Sequence, residues 1–223
     1  MTTEEFAGFI DHTLLKPDVT EEEVRIFLRD AKAHPFASVC IPPCYVNLAA
    51  GLVKDSPVKV GTVAGFPLGY QDGFSKKQEA TMALENGAYE IDMVINISAL
   101  KSGNLSLVND EISGVVSILK GKTLKVIIET CYLSNEEKLA ACDAIISSGA
   151  NFVKTSTGFG PAGATAEDVA LLHERASGRI GVKASGGIGS ADDALKMIAA
   201  GASRIGCSSG IEIVEEFKRM GNQ

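Results

Sequence analysis

SGANFVKT, residues 148–155, shares its outline with NGAYEIDM at 86–93 and AGASRIGC at 200–207. Each opens on a residue followed by a Gly-Ala pair, at Gly87, Gly149 and Gly201, where glycine suits the left-handed end of a helix. Each then enters a short apolar segment that reads as a buried strand. Five residues beyond the glycine stand Asp92, Lys154 and Gly206. HPFASVCI, at 34–41, is a looser fourth member, with Pro35 in place of the glycine and Cys40 five residues on. A helix exit that repeatedly feeds a strand is the mark of an alternating β/α chain.

Working outward, strands are expected at 10–14 (a weak one), 38–41, 58–64, 89–95, 124–129, 151–156, 180–184 and 203–207. Amphipathic helices fill the intervals. T-E-E-E at Thr20 and S-N-E-E at Ser134 are capping boxes, and Thr165 and Ser190 open similar patterns ending in Asp. No linker or low-complexity tract interrupts the order. The expectation is one domain over 1–223, a (β/α)8 TIM barrel with a short N-terminal segment leading into the first strand. A doubly wound sheet shares the pattern, because alternation alone does not show closure. The four phrases fall on strands two, four, six and eight. Barrel interiors fill in layers of four side chains from alternate strands, so Cys40, Asp92, Lys154 and Gly206 are expected at one level.

Composition bounds the function. The chain has 21 basic and 28 acidic residues, a net charge of −7, and no basic run. Nucleic acid and acidic membrane surfaces are therefore not expected partners. MTTEEFAGFI lacks the regions of a signal peptide, and no apolar run reaches the roughly 18 residues of a membrane span. Cys40, Cys44, Cys131, Cys142 and Cys207 are an odd, scattered set, which suits a reduced cytoplasmic protein.

The chemistry centres on two lysines in strands. Lys154 in FVKTSTGF and Lys183 in GVKASGG lie toward the carboxyl ends of their strands, where barrel active sites are built. Lys59 and Lys125 open theirs and are expected to cap the bottom of the core. A single strand lysine is ordinarily a snorkelling side chain or half of a buried ion pair. Two on adjacent strands, with Asp92 near, point toward chemistry. A lysine amine attacks a carbonyl only when unprotonated, so its ordinary value of about 10.4 must fall by roughly 3 units. Burial and a neighbouring ammonium both act in that direction. Asp92 can carry protons as the carbinolamine dehydrates, or can simply balance the lysines.

KASGGIGS at 183–190 and GCSSGIEI at 206–213 are small, amide-rich loops that feed helix N-termini, a setting that favours an anion. Loops after strands seven and eight are the frequent phosphate site of such barrels. No nucleotide-binding glycine motif is present. His12, His34 and His173 are far apart in the sequence, so no metal site is expected. CIPPC, with Cys40 and Cys44, fits neither zinc nor thioredoxin spacing. Cys40 reads as a small pocket-lining hydrophobe, and Asp11 as either a turn residue or a substrate-facing group.

IDHTLLKP, SVCIPPCY, TVAGFPLG, EIDMVIN, KVIIET, FVKTSTGFG, VKASGGI and RIGCSSG follow one another through residues 10–210. In these motifs the chain closely resembles the class I deoxyribose-phosphate aldolases. The resemblance implies a TIM barrel that reversibly cleaves 2-deoxy-D-ribose 5-phosphate into acetaldehyde and glyceraldehyde 3-phosphate, without metal or organic cofactor. It implies that Lys154 forms the Schiff base, Lys183 tunes it and Asp92 relays protons. It further implies that Gly186, Gly187, Ser208 and Ser209 hold the phosphate, with Asp11, Cys40 and Thr155 lining the pocket. Some members end in a tyrosine that reaches the site; this chain ends MGNQ, so that role does not carry over. Cys207 stands where an alanine is expected, a change that should leave the chemistry alone. Two rival readings share the phosphate loops: another phosphate-binding barrel enzyme, transaldolase-like or an isomerase, and a non-catalytic sugar-phosphate sensor. The oligomeric state stays open, a homodimer included.

Overall fold

Eight short runs dominated by β-branched and apolar residues pair side by side in the computed structural model, which describes residues 1–221. They are β1 (Ile10–Thr13), β2 (Ser38–Cys40), β3 (Lys59–Ala64), β4 (Glu90–Val94), β5 (Thr123–Ile127), β6 (Phe152–Lys154), β7 (Gly181–Ser185) and β8 (Arg204–Cys207). Every pairing is parallel, and β1 pairs with β8 as well as with β2, so the sheet is a closed barrel. Closure excludes the doubly wound alternative. The helices are α1 (Thr3–Ala7), α2 (Glu21–Ala31), α3 (Val46–Val53), α4 (Gly73–Glu85), α5 (Ile97–Lys101), α6 (Leu105–Val116), α7 (Asn135–Ser148), α8 (Ala166–Ala176), α9 (Ala191–Ala199) and α10 (Gly210–Met220). The short N-terminal segment is α1, whose Phe6 stacks on Phe217 of α10 with ring centroids 4.2 Å apart. Among the described residues no helix is long and apolar enough to cross a membrane. Of the MGNQ ending, Asn222 and Gln223 lie outside the described residues.

Local signals act as their chemistry requires. Thr20 and Ser134 form full capping boxes with Glu23 and Glu137, while Thr165 and Ser190 accept the amides of Asp168 and Asp193. Gly87, Gly149 and Gly201 take φ of 104°, 79° and 108°, a left-handed turn that a side chain would strain. The outward faces of the strands, among them Val39, Ile91, Met93, Val126, Val153 and Val182, pack with the helices into one apolar core.

The inward faces follow a regular stagger. Ladder partners from Cys40 run through Gly61 to Glu90, two residues before Asp92. From Asp92 they run through Lys125 to Phe152, two before Lys154. From Lys154 they run through Lys183 to Arg204, two before Gly206, and from Gly206 through Asp11 to Ser38, two before Cys40. Four such steps give a stagger of eight, at which an eight-stranded barrel of this type closes. Cys40, Asp92, Lys154 and Gly206 therefore share a level. Their ladder partners Gly61, Lys125, Lys183 and Asp11 form the layer beneath, and Glu90 and Arg204 belong to the next layer down.

Lys125 departs from the expected arrangement. It does not cap the barrel bottom; it is buried inside and ion-paired there. Lys59 does lie at the exposed bottom, over the ring of Tyr89 at 4.6 Å. The two differ because Lys59 is the first residue of β3, whereas Lys125 is the third of β5 and one layer below Asp92.

Candidate active site

Strand alternation sends every second side chain inward, and on six strands that parity delivers ionisable groups. β1 contributes Asp11, β4 Glu90 and Asp92, β5 Lys125, β6 Lys154, β7 Lys183 and β8 Arg204. Burying charges is tolerable only when each finds a partner. Here they do. Lys154 Nζ donates to Asp92 Oδ2 at 2.7 Å, and Lys183 Nζ donates to the same oxygen at 2.7 Å and to Asp11 Oδ2 at 2.6 Å. Lys125 Nζ lies 2.9 Å from Asp92 Oδ1, 2.5 Å from Glu90 and 3.3 Å from Asp11. Arg204 closes the base of the network, 2.5 Å from Asp11 Oδ1 and 3.1 Å from Glu90.

The amines do not respond alike. Burial depresses the basicity of Lys154; Asp92 opposes this, and the Lys183 ammonium adds to it. Burial acts against the charged forms of Lys183 and Lys125 too, but is outweighed: Asp11 and Asp92 hold Lys183 above its ordinary value, and Asp11, Asp92 and Glu90 hold Lys125 well above. The Asp92 carboxyl is likewise opposed by burial yet is held well below the usual carboxylate range by Lys125, Lys154 and Lys183. The result is one amine biased toward its neutral form beside two held as ammoniums. Burial is thus the leading influence on Lys154, ahead of the like charge on Lys183.

Lys154 is also the amine of the network that reaches open space. It lines a cavity of about 290 Å³ at the carboxyl end of the barrel, while Asp92, at the same level, and Lys183, in the layer beneath, are both at 0% exposure. Gly206 bears no side chain because none fits. A Cβ there would come within 2.9 Å of Lys183 Cε, so the space left by glycine is taken by the lysine stem.

The phosphate candidates divide. Gly186, Gly187 and Ser208 line the same cavity, and the two glycines turn with φ of 84° and 76°. Ser209 caps α10, half-buried and without a side-chain cap bond, and is not on the cavity wall. The three pocket candidates also lie off the wall. Asp11 is buried in the layer below and is neither a turn residue nor a substrate-facing group. Thr155 is buried, where its hydroxyl accepts from Ser185 N at 3.1 Å and ties the ends of β6 and β7 together. Cys40 is buried beside Asp92, and burial followed by that carboxylate pushes its thiol up to about 11.

Several site residues escaped the sequence reading. Lys125, Glu90 and Arg204 keep the inward parity of Asp92, Lys154 and Gly206, which is the signal that could have found them. Lys16, from IDHTLLKP, is the other basic side chain on the cavity wall. Glu129, in KVIIET, adopts a left-handed backbone, φ 52°, uncommon for a residue with a side chain. Its buried carboxylate accepts the amide and the hydroxyl of Thr157, and Thr157 Oγ1 in turn accepts Phe159 N at 3.0 Å. Glu129 thereby holds the Thr157–Phe159 wall of the cavity in place.

Known proteins share this fold. The model of the DeoC/LacD family aldolases matches residues 7–216. A deoxyribose-phosphate aldolase of Caldanaerobacter subterraneus subsp. tengcongensis is 55% identical over 218 residues, covering 96% of this chain and 94% of that protein. Among solved structures, an aldolase designated QR15 superposes with a TM-score of 0.93 at 43% identity, covering 97% of each chain. A deoxyribose phosphate aldolase from Aeropyrum pernix, described as a tetramer, gives 0.92 at 38% identity, covering 98% of this chain and 93% of the other.

Proposed function

We propose, from the premise that the chain belongs to the DeoC/LacD aldolase family and so is a lyase, that it reversibly cleaves 2-deoxy-D-ribose 5-phosphate into acetaldehyde and D-glyceraldehyde 3-phosphate. The observation that carries the reading is the contrast among the three lysines of the barrel's ion-pair network. Lys154, alone of the three, reaches the cavity and is biased toward the neutral, nucleophilic form.

In this mechanism Lys154 Nζ adds to C1 of the open-chain sugar, and the carbinolamine loses water to give a protonated Schiff base. Asp92, which accepts from both Lys154 and Lys183, passes a proton from the Lys183 ammonium to the departing hydroxyl, directly or through water. A base then takes the proton of the C3 hydroxyl. The C2–C3 bond breaks toward the iminium, releasing glyceraldehyde 3-phosphate and leaving an enamine. Protonation at C2 and addition of the water lost earlier free acetaldehyde and restore the amine.

The sugar phosphate is placed at Gly186, Gly187, Ser208 and Ser209. Support comes from two left-handed glycines on the cavity wall and from the N-terminus of α10. Lys16 supplies positive charge at the same mouth. The proposed setting is cytoplasmic deoxyribonucleoside catabolism, with a homodimer as one assembly to examine. The test is reduction with borohydride in the presence of acetaldehyde, followed by peptide mapping, together with an assay of deoxyribose 5-phosphate cleavage. The expected result is one ethyl group on Lys154; modification of Lys183 reverses the roles, and no modification refutes the Schiff base.

A further inference from the structure

The charges inside the barrel can be counted. Asp11, Glu90 and Asp92 are the three carboxylates of the ion-pair network, and Lys125, Lys154, Lys183 and Arg204 are its four bases. With every group ionised, the network carries one positive charge too many for a site shut off from water. Lys125, Lys183 and Arg204 balance the three carboxylates without help.

We propose that Lys125 is a positioning residue for the chemistry at Lys154: by neutralising Asp92 from its far oxygen, it lets Lys154 stand in the network uncharged. The contacts are specific. Lys125 holds Oδ1 of Asp92 at 2.9 Å, which leaves Oδ2 for Lys154 and Lys183, and it anchors that carboxylate to Glu90 at 2.5 Å beneath. Lys125 lines no part of the cavity, so it touches no substrate. The other groups facing Lys154 cannot take its place. Lys183 is shared between Asp11 and Asp92, and Arg204 between Asp11 and Glu90. Cys40 is held as a thiol. Glu129, beyond β5, is satisfied by Thr157 and makes no ion pair, and Lys16 sits exposed at the mouth.

The role presupposes the Schiff base on Lys154, and the test separates the two. The rate of acetaldehyde trapping on Lys154 by cyanoborohydride is followed from pH 5 to 10 in the full chain. In Lys125→Met, three carboxylates face two fixed cations, so Lys154 is drawn into its charged form. The trapping midpoint should rise by about one unit or more, a loss of roughly tenfold or more in rate below the midpoint. Adding Glu90→Gln restores the balance, and the double variant should return most of the way to the wild-type midpoint. Should Lys125→Met fail to fold, Glu90→Gln alone still decides: with one anion fewer, its midpoint should stay or fall. Normal trapping in the wild type with an unmoved midpoint in Lys125→Met overturns this inference alone, as does a raised midpoint in Glu90→Gln. Absence of trapping in the wild type overturns the Schiff base, and the role of Lys125 with it.

Discussion

Gly206→Ala adds one methyl group to a filled part of the barrel. The new Cβ would lie 2.9 Å from Lys183 Cε and 3.0 Å from Ser185 Cβ. Carbon atoms prefer about 3.5–4.0 Å, so something must yield by roughly 0.5–1 Å. Ser185 Cβ is fixed to the backbone of β7, which leaves the lysine. A lysine end is ordinarily free to swing aside, but this one is pinned, with Nζ 2.6 Å from Asp11 and 2.7 Å from Asp92. A displacement of that size stretches one of the two bonds beyond about 3.2 Å, where it weakens sharply. A hydrogen bond to a charged group contributes about 1.5–3 kcal/mol, and overpacking costs about 1–3 kcal/mol. Both figures describe the same displacement, so they are not added. The expected destabilisation is about 2 kcal/mol, or roughly 4–8 °C in Tm for a chain of this size. Because Lys183 shares Asp92 with Lys154, kcat/KM at neutral pH should fall about tenfold or more. Thermal denaturation and a pH series of kcat/KM measure both effects. Gly51→Ala is the control: nothing lies within 4 Å of its added Cβ, and in mid-helix it should stabilise by up to about 1 kcal/mol. A Gly206→Ala protein with unchanged Tm and unchanged kinetics would refute the view that the Lys183 stem needs this space.

Two further outcomes are expected. Ser208→Asp sets a carboxylate on the cavity wall against the sugar phosphate, a repulsion of several kcal/mol at short range and intermediate dielectric (about 4 kcal/mol at 4 Å). It should raise KM for deoxyribose 5-phosphate far more than for unphosphorylated deoxyribose, and equal loss of both would move the phosphate elsewhere. In acid, Asp11 and Asp92 are held below the ordinary carboxylate value of about 3.9, so the stability they add is complete above about pH 4. It is lost as the pH falls through their lowered values. His12, lowered to about 4 by burial, costs stability as the pH falls from about 6.5, so the carboxylates are read below that range: urea midpoints should keep declining below about pH 4, and midpoints unchanged there would contradict the depressed values.

The order of elements was legible in the chain because it is written in local chemistry. Gly87, Gly149 and Gly201 end helices since only glycine takes a left-handed turn without strain. Thr20 and Ser134 start them since a hydroxyl can reach orphan amides. A five-residue spacing was enough to set Cys40, Asp92, Lys154 and Gly206 at one level, because inward parity and stagger are regular in a barrel of eight strands. Closure itself, the pairing of β1 with β8 across almost the whole chain, is a property of no single segment. The same holds for the charge network. Asp11 and Arg204 lie 193 positions apart and Lys183 and Asp11 172, and nothing local to any of them says which oxygen will face which amine. Lys125 and Lys59 are alike as opening lysines of apolar runs. Two layers of depth make the first an interior cation and leave the second in water. Even the difference between Lys154 and Lys183 is tertiary. Two lysines side by side on neighbouring strands part company because one of them meets two carboxylates and the other meets one, at the floor of a cavity.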